Sequence, residues 1–200
     1  MKSQSFGQAR KKSKTFAPRA LAPGLLKGCG YNKKMITQVL IHGEGGQGIK
    51  LLSQTLAYIL SKLEKQVTLT YEYDSNVRGG QVTAYLKYDD KKIENPLIEE
   101  ADFLILLTHS KGFKGKTTVV EQKFKEGEHN TQVLFVPFET IARELGNLKF
   151  VNMVTLGYIL KLINIDIEKL DIEHTLPEQL REENLNAIRQ GYEFIERSNM

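Results

Sequence analysis

ITQVLIHGEGGQGIKLLSQTLAYILSKL, residues 36–63, decides the fold. Its opening run, Ile36 to Ile41, is short, β-branched and ends in a glycine cluster, which predicts a buried strand. Beyond the glycines, Ile49, Leu52, Leu56, Ile59, Leu60 and Leu63 recur at helical spacing, a broad apolar face that must pack on a sheet. Strand, glycine loop and helix follow one another directly.

Outward from this unit, QVTLTYEY sets Val67, Leu69, Tyr71 and Tyr73 on one side of a second strand. The segment DSNVRGG breaks the alternation, and VTAYLKY resumes it with Val82, Ala84, Leu86 and Tyr88. FLILL, Phe103 to Leu107, is apolar on both faces and predicts a central strand. TTVV and QVLFVPF supply two more strands, separated by the polar stretch KFKEGEHNT, which reads as a surface loop. Helices are expected around Phe138 to Leu145, ended by Gly146 in a left-handed conformation, around Met153 to Ile163, and around Leu185 to Ile195. Gly157 should let two helices approach closely, and Asn152 should cap the helix that it begins. The order argues a three-layer αβα sandwich with a mostly parallel, mixed sheet.

Composition bounds the function. The 200 residues carry 28 basic and 24 acidic side chains. Nine of the basic ones and no acid fall in residues 1–34, leaving 19 against 24, a net of −5, for the remainder. The high pI of about 9.0 therefore describes a tail. Residues 1–34 read as a basic extension without a core of its own or as a start-site artefact, with Met35 the start of a domain spanning 35–198. Nucleic acid is not expected as a partner. The single cysteine, Cys29, excludes a disulfide framework and any all-protein thiolate cluster within the chain. No apolar run reaches the roughly 18 residues of a membrane span, so a cytoplasmic protein is expected.

Gly43-Glu44-Gly45-Gly46-Gln47-Gly48 matches G-x-G-x-x-G between a strand and a helix, where backbone can approach a ligand and the helix N-terminus favours an anion. Read alone, the glycines permit either a tight turn or a ligand loop. The acids ending the second strand, Glu72 and Asp74, come later than the roughly 20-residue spacing of dinucleotide-binding folds. No Lys-Ser or Lys-Thr follows Gly48, so the loop is not a P-loop. Arg78-Gly79-Gly80 offers a second anion-binding constellation that a parallel sheet would bring to the same edge. The histidines His42, His109, His129 and His174 have no metal-ligand spacing, and three of them should lie on the surface or in loops. His42, beside the glycine loop, is the one worth testing. Neither a catalytic group nor a metal site is expected from this chain.

Together, GEGGQGI at 43–49, VRGGQV at 77–82, ADFLI at 101–105 and RELGN with NMVTLG between 143 and 157 resemble the gamma subunit of 2-oxoacid:ferredoxin oxidoreductases. The resemblance implies a subunit of an anaerobic assembly that decarboxylates a 2-oxoacid on thiamine diphosphate, passes electrons through iron–sulphur clusters to ferredoxin, and releases an acyl-CoA. It implies alpha, beta and ferredoxin-like delta partners that carry the thiamine diphosphate and the clusters. It also implies that Gly43, Gly45, Gly46, Gln47, Gly48, Arg78, Gly79 and Gly80 form the edge facing cofactor or coenzyme A. The motif forms look more like 2-oxoglutarate-type chains than pyruvate or branched-chain ones. The insertion from Lys123 to Asn130 and the basic N-terminal segment have no counterpart in the resemblance. A free-standing NAD(P)-dependent dehydrogenase and a non-catalytic nucleotide-binding scaffold are the alternatives.

Overall fold

In the computed structural model residues 36–74, 79–95, 97–110, 112–124 and 132–197 are described. β1 (Thr37–Glu44), α1 (Ile49–Lys62), β2 (Gln66–Tyr73), β3 (Gln81–Asp89), β4 (Ala101–Leu106), β5 (Gly115–Glu121) and β6 (Gln132–Val136) make one six-stranded sheet with its first helix. α2 (Phe138–Glu144), α3 (Val151–Leu162) and α4 (Arg181–Arg197) follow. The strand order is β2-β3-β1-β4-β5-β6. β1/β4, β4/β5 and β5/β6 run parallel, whereas β3 is antiparallel to both β1 and β2. The sheet is thus mixed and mostly parallel, in an α/β fold, as its sequence leads one to expect.

The period-two pattern sorts side chains between two faces. Val39, Ile41, Ala84, Leu86, Ile105, Val119 and Val136 join Leu52, Leu56, Ile59 and Leu60 of α1 in one core, with the buried residues of α2, α3 and α4. Fully burying each aliphatic chain of this kind contributes about 1.5–3 kcal/mol. α1 stops where Glu64 turns left-handed at φ 61°, and α2 stops before Gly146 at φ 89°. α3 is buried on every side from Val151 to Leu160, which suits a helix packed between α1 and α4. Gly157 makes the α3–α4 approach possible, since a β-carbon there would lie 1.9 Å from the Ile188 carbonyl oxygen. Gly191 does the same from α4 against Val154.

Leu40, Leu104, Leu106 and Val120 point to the other face. Among the described residues their cover comes from strand neighbours and from Ile98, Phe113 and Phe124 rather than from an α-helix. The physical reason is length. The parallel connection from β4 to β5 spans only residues 107–114, shorter than the dozen or so residues that a helical crossover needs.

Two local expectations change. β1 runs on past Ile41 through Gly43 and Glu44, because β3 stays in register with it, Gly43 opposite Val82 and Glu44 opposite Gln81. Asn152 does not cap α3, whose first residue is Val151. Its Oδ1 accepts from the Met153 amide at 2.9 Å, while Asn147 caps the preceding short turn by accepting from the Lys149 amide. The local turn before α3 had already satisfied the start of the helix, which left Asn152 to face inward. The surface loop expected at 123–131 lies mostly outside the described residues, apart from a 3-10 turn at Gln122–Phe124.

Candidate functional site

The carboxyl end of β1 leads straight into the glycine loop, and the connection between β2 and β3 comes to the same edge. It gets there as part of an antiparallel hairpin, not a parallel crossover: β2 and β1 share a direction because β3 opposes both. The Gly45 amide donates to the Gly80 carbonyl at 2.8 Å, so the two loops are bonded together. A β-carbon at Gly45 would sit 3.0 Å from Gly79 Cα, so a side chain there would press on the second loop.

Several of the loop's own groups are occupied internally. The Glu44 amide donates to Gln47 Oε1 at 2.7 Å, and the Gln47 amide donates to the Glu44 carbonyl at 3.1 Å. Gln47 Nε2 reaches the Leu107 carbonyl at 3.3 Å, and Thr108 Oγ1 donates to Glu44 Oε1 at 2.7 Å. Gln47 is therefore a brace inside the loop, tying it to the end of β4. Gly43 is buried beneath Gln47 and Ile49, whereas Gly45 and Gly46 are exposed, and nothing lies within 4 Å of a β-carbon built on Gly46. Gly48, at φ 75°, precedes α1, and a β-carbon on it would lie 2.3 Å from Asn152 Nδ2.

Of the residues singled out in the sequence, Gly43, Gly45, Gly46, Gln47, Gly48, Gly79 and Gly80 are brought together at one edge. Arg78 lies outside the described residues, as does His129. His109 and His174 are exposed. His42 is buried, 3% exposed, one residue before the loop. Its Nδ1 is 2.9 Å from Thr83 Oγ1, and its ring tilts against Phe113 at a centroid distance of 5.0 Å. Burial pushes its pKa below the ordinary value, against a smaller pull upward from Glu72. The imidazole is accordingly held neutral.

His42 lines a cleft of about 660 Å³ on the helix-free side of the sheet, together with Glu72, Asp74, Gln81, Thr83, His109, Ser110 and Phe113. Tyr85 donates its phenol proton to Glu72 Oε2 at 2.7 Å. Burial, followed by that contact, pushes the phenol's pKa up to about 12. Glu44, Glu72 and Asp74 are all exposed here, so the charge that the described residues place at this edge is mainly negative. Among the described residues, no group of three or more His, Cys, Asp or Glu side chains could hold a metal ion. No described helix is long and apolar enough to cross a membrane.

The topology separates this loop from that of a dinucleotide-binding fold. There the strand following the first helix lies beside the first strand and parallel to it; here antiparallel β3 intervenes between β1 and β2. The model of the pyruvate ferredoxin/flavodoxin oxidoreductase family matches residues 38–194. The chain belongs to this family. Within the oxidoreductase family it corresponds to the gamma subunit, a non-autonomous part of a 2-oxoacid:ferredoxin oxidoreductase. It is 29% identical over 164 residues to the 2-oxoglutarate synthase subunit KorC of Archaeoglobus fulgidus, covering 78% of this chain and 86% of that one. It is likewise 29% identical over 179 residues to the pyruvate/ketoisovalerate oxidoreductases common subunit gamma of Pyrococcus furiosus, covering 80% and 97%. The solved gamma subunit of a keto/oxoacid ferredoxin oxidoreductase from Geobacter sulfurreducens shares the fold, with a TM-score of 0.63 at 22% identity over 80% of this chain and 99% of that one.

Sequence reasoning missed the polar residues that set the loop's shape in this family member. Thr108 and Thr83 carry no local signal, because their partners Glu44 and His42 lie 64 and 41 residues away. Asn152 did carry one: a polar side chain in an otherwise apolar helix needs a partner inside the protein.

Proposed function

We propose that this gamma subunit works in a cytoplasmic complex that oxidatively decarboxylates a 2-oxoacid to its acyl-CoA, with 2-oxoglutarate favoured over pyruvate or a branched-chain acid. Alpha, beta and ferredoxin-like delta subunits would carry thiamine diphosphate and the iron–sulphur clusters, and ferredoxin would take the electrons. Residues 35–198 form the working domain in this reading, and residues 1–34 are dispensable for assembly. The observation that carries the proposal is the bonded pair of glycine loops, Gly45 to Gly80, at the carboxyl edge of the sheet. Exposed backbone at Gly45 and Gly46 allows another polypeptide or a ligand to approach closely. The preference for 2-oxoglutarate draws support from the loop's sequence and from the KorC relative, itself named for a 2-oxoglutarate synthase.

The residues present fit some of these groups and not others. One cysteine in the whole chain cannot hold a cluster. For the phosphates of coenzyme A, the described edge fits as a wall rather than as a cradle. The amides of Glu44, Gly45 and Gln47 are already bonded within the protein, and Glu44, Glu72 and Asp74 stand nearby. Positive charge for an anionic ligand would have to come from Arg78, from Lys50 in the first turn of α1, or from a partner subunit.

Co-expression of the full chain with candidate thiamine-binding and cluster-binding subunits tests the proposal. Co-elution, and 2-oxoacid-dependent, CoA-dependent ferredoxin reduction by the complex alone, is the expected result, with 2-oxoglutarate the best substrate. A purified chain that oxidised a 2-oxoacid unaided would overturn it. Deleting residues 1–34 should leave assembly unchanged.

A further inference from the structure

The sheet ends in two unlike edges. β6 is five residues long and is followed at once by Pro137, which has no amide proton to offer. β2, the other edge, runs eight residues from Gln66 to Tyr73 with no proline, no lysine and no bulge against β3. Long edge strands are normally blunted by such devices, because open backbone pairs with any strand that reaches it. Apart from Gln66 and its one acid, Glu72, β2 alternates Thr with Val, Leu and Tyr, all of them strand formers.

The register tells which main-chain groups are open. The Asp74 amide donates to the Gln81 carbonyl at 2.9 Å, in line with the pairing of Tyr73 with Val82. Hydrogen-bonded pairs alternate along an antiparallel ladder, so Gln66, Thr68, Thr70 and Glu72 turn their main-chain groups to β3. The Gly45–Gly80 bond agrees, since it assigns Val82, Ala84 and Leu86 to β1 and leaves Thr83, Tyr85 and Lys87 for β2. The amides and carbonyls of Val67, Leu69, Tyr71 and Tyr73 therefore point off the sheet, where no described residue bonds to them.

We propose that β2 pairs antiparallel with β2 of a second copy of this chain, about a two-fold axis at Thr70. This register sets the open groups of Val67 against those of Tyr73, and Leu69 against Tyr71, on both sides of the axis. It makes about eight backbone hydrogen bonds, against the ~10 ± 5 of a typical protein interface. Side chains match as well as backbone. Val67, Leu69 and Tyr71 lie on the helix side, where Tyr73, 54% exposed, would meet Val67, and Leu69 would meet Tyr71. On the other side Thr70 meets itself and Glu72 meets Thr68, so no like charges stand opposite each other. The sequence of β2 is thus its own complement, which selects a second copy over a foreign strand. α1 packs over β2 and β3, and strands about 4.8 Å apart would bring its two copies to about 10 Å, the separation of packed helices. Tyr58 and Leu63, large apolar side chains left exposed in the single chain, belong to this helix and its end.

The isolated full-length chain tests the pairing, whatever its partners in the enzyme. Sedimentation at micromolar concentrations should show a reversible dimer. Thr70→Lys, at an exposed position, sets two like charges across the axis and should weaken the dimer about tenfold or more. The native chain has one cysteine, Cys29. In a Cys29→Ser background, Thr70→Cys should give a disulfide-linked dimer on mild oxidation, because opposed residues of a non-hydrogen-bonded pair have Cα atoms about 4.5 Å apart. Thr68→Cys should not, since its counterpart in the second copy is displaced by about 13 Å along the strand. A wild-type chain that stays monomeric would overturn the proposal, and so would a dimer that links through Thr68→Cys and not through Thr70→Cys. A dimer that forms only after removal of residues 1–34 would assign the edge to the chain's own N-terminal segment and overturn it. Weaker binding of other subunits by Thr70→Lys, with the chain itself monomeric, would assign the edge to one of them and overturn it likewise.

Discussion

The side-chain amide of Asn152 fills the space that any side chain at Gly48 would need, with Nδ2 2.3 Å from the position of the missing β-carbon. One residue on α3 thereby packs against the start of α1, where the glycine loop ends. Gly48→Ala meets both this obstruction and a left-handed backbone at φ 75°. The expected loss is about 2–4 kcal/mol in urea unfolding. Asn152→Ala removes the obstruction but not the backbone strain, so the double variant should recover part of the loss. Strict additivity of the two substitutions would show that the residues do not press on one another.

The His42 ring makes a prediction about acid. Burial holds its folded pKa below 6.5, the ordinary value that the unfolded chain would show. As pH falls through 6.5 the unfolded state takes up the proton first, so stability is fully present above that value and declines below it. His42→Gln should flatten the stability profile below about pH 6.5, where the ordinary histidine pKa starts the loss. Ring-nitrogen chemical shifts of the wild type should show the neutral form persisting below pH 6.5. A midpoint above 6.5 would contradict the burial of the imidazole as the controlling effect.

How much of this edge could be read in the sequence depends on the range of each interaction. Ile49, Leu52, Leu56, Ile59 and Leu60 announce α1 because helical spacing is local, and all of them are buried. Gly43 to Gly48 announce the loop for the same reason. The pairing of Gly45 with Gly80 requires the hairpin's direction, which alternation in β2 and β3 does not encode, since period two is the same in parallel and antiparallel strands. The helix-free face is legible only in hindsight, from the short connection at residues 107–114. Negative charge at the site was in plain view as Glu44, Glu72 and Asp74. Their convergence was not, because strands β1 and β2 meet there only through β3.

Tyr85 reports on Glu72 directly. Its phenol lies against the helix-free side of the sheet and donates to that carboxylate, with a pKa pushed up to about 12. Ultraviolet titration should find one tyrosine ionising near this value. Glu72→Gln should lower the midpoint only in part, because burial is the largest cause and remains in the variant. If the midpoint of Tyr85 were already near the ordinary 10.0, neither the burial of the phenol nor its contact with Glu72 would hold in solution.

Gly45 separates the fold from the function of this edge. The residue is exposed, so a side chain there meets water on one side and the Gly79–Gly80 backbone, about 3.0 Å away, on the other. Gly45→Val should therefore push the two loops apart and break the 2.8 Å bond from the Gly45 amide to the Gly80 carbonyl. The core beneath does not include Gly45, and the cost in stability should stay near 1–2 kcal/mol, that of one strained contact and one hydrogen bond. Function should respond far more strongly if both loops must present one continuous surface to the rest of the complex. The expected result is a variant with a thermal midpoint close to wild type and at least a tenfold loss of CoA-dependent turnover after reconstitution. A loss confined to stability, with full turnover by the remaining folded protein, would remove this edge from the working surface of the enzyme.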